Sequence, residues 1–112
     1  MKRGWIISLW CVLALMLSLI HAPVMFSPEV RKASLWIAFG FNLYLALEVL
    51  SVAGIWFLRW WGAYINLFIF FTEGLGLIGN WFTGYSFKIA LVHHGVGVLI
   101  IFLSHKRLRS GL

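Results

Sequence analysis

Acidic residues are nearly absent from this chain: its 112 residues include three, Glu29, Glu48 and Glu73, against nine lysines and arginines. Charged residues make up 11% of the sequence, far below the roughly 25% of an ordinary soluble domain. With 62% hydrophobic residues and a mean hydropathy of +0.97, a water-soluble globule is excluded. Cysteine is limited to Cys11, so no intramolecular disulfide can form and the compartment cannot be read from cysteine. No Cys/His set has structural zinc spacing, and no serine or cysteine nucleophile has an evident base and orienting partner. Neither a metal nor a cofactor is expected on that basis, and the chain reads as non-enzymatic.

What is present is apolar length. A membrane span needs about 20 predominantly apolar residues, and four stretches qualify: Trp5–Ala22, Ala33–Phe57, Trp60–Asn80 and Lys88–His105. Almost nothing is left for a soluble domain, so residues 1–112 read as one integral membrane domain, an all-α, antiparallel bundle of four transmembrane helices. The formal net charge of +6 does not point to nucleic acid, because the basic residues flank spans instead of forming a face. Lys2, Arg3, Arg59, Lys106, Arg107 and Arg109 fall on one side, and Arg31, Lys32 and Lys88 on the other. The positive-inside rule then places both termini in the cytoplasm, with the lipid bilayer of the cell's inner (plasma) membrane as the first partner. Met1-Lys2-Arg3 followed by an apolar run also fits a secretory signal, but Ile20-His21-Ala22-Pro23 is a poor cleavage site, so an uncleaved first helix is expected.

Pro23 and Pro28 bracket an external loop, since proline breaks a helix and restrains the residue before it. Ser27-Pro28-Glu29 suits a helix start, with serine as N-cap, proline at the first position and glutamate at the positive helix end. The very short turn Leu58–Gly62 makes helices two and three antiparallel neighbours, and Trp81–Ser86 does the same for three and four.

Glu48 and Glu73 each lie inside an apolar span. An ionisable group in hydrocarbon costs on the order of 3 kcal/mol, so such residues face a bundle interior, a partner or an aqueous path. Helix three carries Arg59, Asn66, Glu73 and Asn80 at seven-residue steps, one polar stripe on one face. A rise of about 1.5 Å per residue puts Glu73 and His94 at matching depth, roughly 20 Å from the inner interface, with Glu48 and Asn66 nearer 10 Å. Two polar layers are expected, an outer Glu73–His94 layer and an inner Glu48–Asn66 layer. Tyr44, Glu48 and Ser51 share a face of helix two, which would put a phenol and a hydroxyl beside the inner carboxylate. Gly4, Ser8, Cys11, Ser18 and Ala22 form an uncharged small-residue seam on helix one, suited to close packing.

Leu47-Glu48-Val49 followed by Gly54-Ile55-Trp56-Phe57-Leu58-Arg59-Trp60-Trp61-Gly62-Ala63 resembles the DoxX-like superfamily of small four-helix bacterial membrane proteins. Those proteins show a glutamate in helix two, then glycine and an arginine turn leading into a small-residue start of helix three. The likeness implies the fold, association with membrane redox or stress-response complexes, and a role for Glu48 and Arg59, with no defined reaction. Small multidrug-resistance transporters match in size but carry their membrane glutamate in helix one, where this chain has none.

Three functional expectations follow. The first is a non-enzymatic accessory or assembly component, partnered by another membrane subunit or a second copy. The second is a proton-coupled carrier of a small solute that uses Glu48 and Glu73, since buried carboxylates and a histidine can exchange protons. The third is a haem-binding anchor subunit, with His21 and His93 or His94 as axial ligands at similar depth.

Overall fold

The computed structural model describes residues 4–25, 28, 32, 34–79 and 85–109. Among them the architecture is all-helical: α1 (Trp5–Met25), α2 (Leu35–Trp56), α3 (Trp60–Ile78), α4 (Tyr85–Leu103) and a short 3-10 turn (His105–Arg107). The helices form a ring in which α1 packs on α2, α2 on α3, α3 on α4, and α4 closes back on α1. The bundle measures 46 × 25 × 22 Å, longer than the roughly 30 Å thickness of a hydrocarbon core. By length and composition three helical stretches can cross a membrane, Trp5–Pro23, Leu35–Trp56 and Trp60–Ile78, while α4 contributes the shorter apolar stretch Lys88–Leu103.

Two helix borders differ from the sequence reading. α1 does not break at Ala22-Pro23 but continues through Pro23 to Met25. The proline ring fixes φ near −65°, a helical value, and it removes a single amide donor in the last turn, which a membrane helix tolerates. α2 begins at Leu35, where Ser34 is the N-cap in extended geometry and its hydroxyl accepts the Trp36 amide at 3.2 Å. Ser27 and Glu29, expected at this start, lie outside the described residues, as does Asn80.

The turn from α2 to α3 is a Schellman closure: Arg59 N–H donates to Gly54 O (2.8 Å) and Leu58 N–H to Ile55 O (3.0 Å). Its left-handed position, usually glycine, is taken by Leu58 at φ 57°. The side chain explains the choice, because Leu58 is buried in an apolar core with Ile7, Trp10, Ile55, Ala63 and Leu108. Beneath this turn the C-terminal segment folds back, with Arg109 N–H donating to Leu58 O (2.8 Å) and Trp60 N–H to Arg109 O (3.0 Å).

α2 and α3 cross at Gly54 and Gly62, where a Cβ on Gly62 would stand 2.5 Å from the Gly54 carbonyl carbon. Ser51 ties the same crossing by donating to Gly62 O at 3.1 Å. This close backbone approach lies at the turn end of α3. On α1 the buried seam is Ile7, Trp10, Cys11 and Ala14, only partly the small-residue one expected. Ser8 and Ser18 bond back to the carbonyls of Gly4 and Ala14 within the helix.

The distribution of polarity is inverted relative to a soluble protein. Glu48, Ser51, Asn66, Glu73 and His94 are buried, while Leu19, Phe39, Phe68, Leu75 and Phe102 face outward.

Candidate functional site

The buried polar residues converge at mid-bundle. α2 supplies Tyr44 and Glu48, four residues apart on one face; α3 supplies Asn66 and Glu73, seven apart on one face; α4 supplies His94. His94 stands between the two carboxylates, with Nε2 2.8 Å from Glu48 Oε2 and 2.9 Å from Oε1, and Nδ1 2.7 Å from Glu73 Oε1. The three side chains are 7% exposed or less, sealed from both lipid and water. Tyr44 donates its hydroxyl to Glu73 Oε1 at 2.7 Å. Asn66 Nδ2 donates to the His94 backbone carbonyl at 3.3 Å.

This is one layer, not two. The Glu73–His94 approach expected from matched depths is present, but Glu48 joins it from below instead of pairing with Asn66. The physical reason is reach: a glutamate side chain and an imidazole together span several ångströms along the helix axis, and the ring has a nitrogen on each edge. Tyr44 bonds Glu73 and also stands within hydrogen-bonding reach of Glu48, as expected of a phenol on the same helix face, whereas Ser51 turns away to the Gly62 carbonyl.

The two contacts of His94 are not equivalent. The Nε2 contact with Glu48 is an aligned hydrogen bond, whereas the Nδ1 approach to Glu73 is at ion-pair distance but out of line with the ring N–H. Nδ1 of His94, Oε2 of Glu73 and Oδ1 of Asn66 are buried without a hydrogen-bond partner in the chain. The core of the cluster thus retains unused donor and acceptor capacity where such capacity is costly.

A supporting contact was not visible as a pattern in the sequence. Trp10 could have faced lipid, yet it is buried, stacks on the His93 ring (centroids 4.7 Å apart, planes 9°), and donates Nε1–H to the His93 carbonyl at 2.9 Å. Gly97, one helical turn further along α4, makes room for it: a Cβ there would stand 2.5 Å from the indole. The pairing fixes α1 against the stretch of α4 that carries His94. The sequence contained a signal in the glycine-punctuated run His93-His94-Gly95-Val96-Gly97, where a bulky partner needs a missing side chain.

His21, His93 and His94 do line a common crevice, together with Ser18, Tyr44 and Glu48. It encloses about 10 Å³, room for one water molecule, and haem has no space there. The His93 ring stacks on Trp10 with its Nε2 buried and without a hydrogen-bond partner, and His94 faces the carboxylates. In chemical terms the site can hold and share protons or a cation among two carboxylates and an imidazole. No family model, curated protein or solved structure matches the chain.

Proposed function

We propose that the chain is a small multi-pass protein of the cell's inner (plasma) membrane, with all four helices crossing the bilayer and both termini cytoplasmic, acting as a non-enzymatic accessory or assembly component. The observation that carries this reading is the inverted interior: charged and amide side chains are sealed within the bundle while large apolar side chains cover its outside. Hydrocarbon is the solvent that rewards such an arrangement, and the Glu48–His94–Glu73 cluster is what fastens α2, α3 and α4 where apolar packing alone supplies little drive. The crevice beside the cluster is too small for a solute, which favours a fastening role over a carrier.

Charge supports the orientation. Gly4, which abuts the Arg107 guanidinium, lies at the same end as the α2–α3 turn and the C-terminal segment, so Arg59, Lys106, Arg107 and Arg109 gather there. Lys32 precedes α2 and Lys88 lies in the first turn of α4, at the opposite end. The richer end is cytoplasmic by the positive-inside rule. The DoxX-like pattern around Glu48 and Arg59 fits the same assignment.

Cysteine labelling at position 111 in intact cells tests the topology, and labelling from outside would refute it. Mild solubilisation of native membranes tests the role, with a stoichiometric membrane partner or a second copy as the expected result. A proton-coupled carrier is the second reading, favoured by the juxtaposition of two carboxylates with an imidazole that can share protons. Proton-dependent flux in liposomes containing this chain alone would put it first.

A further inference from the structure

Glu48, Glu73 and His94 come from three different helices, yet one potential ligand atom of each lies within 4.8 Å of the other two. We infer that these side chains form a binding site for one divalent cation of the zinc class inside the bundle. The helix-fastening role proposed above uses the same residues, but the two roles are separable, because fastening needs only their hydrogen bonds.

Charge is the first reason. A histidine that binds a metal is neutral, and the two carboxylates then bring two negative charges that hydrocarbon disfavours strongly and one divalent cation cancels. Ligand type is the second. One imidazole nitrogen and two carboxylate oxygens are a donor set that zinc accepts with three protein ligands, whereas calcium and magnesium need six or more oxygens. Spacing by sequence hides this set, since no two of its members are close in the chain.

Unspent coordination capacity is the third reason. Glu73 Oε2 belongs to a side chain 1% exposed and has no hydrogen-bond partner, and Asn66 Oδ1, in the same bundle interior, is likewise buried and unpartnered. The Tyr44 hydroxyl on Glu73 Oε1 supplies the outer hydrogen bond that orients a metal-binding carboxylate. Zinc bonds of about 2.0–2.2 Å set ligand atoms roughly 3.3–3.6 Å apart, so the widest separation, up to 4.8 Å, closes by about 1 Å while the His94–carboxylate contacts of 2.7–2.9 Å open by about 0.5 Å. The crevice lined by Ser18 and His21 reaches Glu48 and His94 and gives the cation its approach.

The test uses full-length protein without a histidine tag, purified in detergent, stripped with chelator and dialysed against zinc chloride. One zinc per chain by elemental analysis is expected, with an unfolding midpoint that rises with zinc concentration and visible cobalt(II) absorption bands of a low-coordinate nitrogen–oxygen site. Tyr44→Phe should weaken binding about tenfold, as loss of an outer-layer partner does. The isosteric pair Glu48→Gln/Glu73→Gln should abolish binding, while His105→Gln, outside the bundle interior, leaves it unchanged. Substoichiometric zinc on the wild-type chain overturns the inference whatever the variants do. So does wild-type affinity in the glutamine pair, or loss of binding through His105. If the glutamine pair does not fold, the wild-type stoichiometry and the cobalt spectrum decide alone. The fastening role fails separately, if the glutamine pair and His94→Leu unfold no more readily than wild type in chelator.

Discussion

Replacing His94 with leucine is the most informative single perturbation of this bundle. The imidazole bridges Glu48 and Glu73 at 2.8 and 2.7 Å in a site almost fully sealed, so its loss strands two carboxylates at once. Removing one partner of a buried ionic pair costs about 3–5 kcal/mol, although hydrogen bonds between membrane helices average nearer 0.6 kcal/mol. Burial below one-tenth in all three groups puts His94→Leu toward the upper figure. Glu73→Leu should cost less, about 1–3 kcal/mol, because His94 keeps its aligned bond to Glu48 and the groups orphaned are Nδ1 and the Tyr44 hydroxyl. The triple change Glu48→Leu/Glu73→Leu/His94→Leu should recover most of the loss, since removing all partners leaves no buried charge. Reversible unfolding in mixed detergent micelles, read by helical circular dichroism, gives the free energies for a cycle of single, double and triple variants. Losses that add with a coupling below about 0.5 kcal/mol would refute the claim that the three side chains act as one unit.

Other features lead to equally direct outcomes. Gly62→Ala drives a methyl group into the Gly54 backbone and should cost about 1–3 kcal/mol in the same unfolding assay, with no relief from Gly54→Ala, which adds to the crowding. Gly97→Ala should be similarly destabilising in the wild-type background, because the new Cβ meets the Trp10 indole; with Trp10→Leu already present it should be close to neutral, and equal costs in the two backgrounds would refute the contact. Leu58→Gly relieves about 1–2 kcal/mol of left-handed strain but gives up a buried side chain worth about 2–5 kcal/mol, so net destabilisation is expected, and a stabilised variant would show that backbone strain outweighs burial.

The long apolar runs, the short α2–α3 turn and the matched depth of Glu73 and His94 were legible in the sequence because each is a property of position along one helix. Hydrophobic length determines where a helix can cross, and a constant rise per residue converts a residue number into a depth. Helix termini were less legible: Pro23 reads as a break but is absorbed in the last turn of α1, and Ser34 caps α2 without any sequence pattern having singled it out.

Azimuth and side-chain reach belong to the tertiary structure. Depth alone separated Glu48 from Glu73, but α2 and α3 turn both toward the same point on α4, and a ring with nitrogens on opposite edges joins them. That rotation is set by the Gly54–Gly62 crossing and by Trp10 lodged over Gly97, contacts between residues 8 and 87 positions apart in the chain. Sequence determined that carboxylates and an imidazole lie within long apolar helices; packing decided that they meet, because the missing side chains that let helices approach acquire meaning only opposite the residue that fills the space.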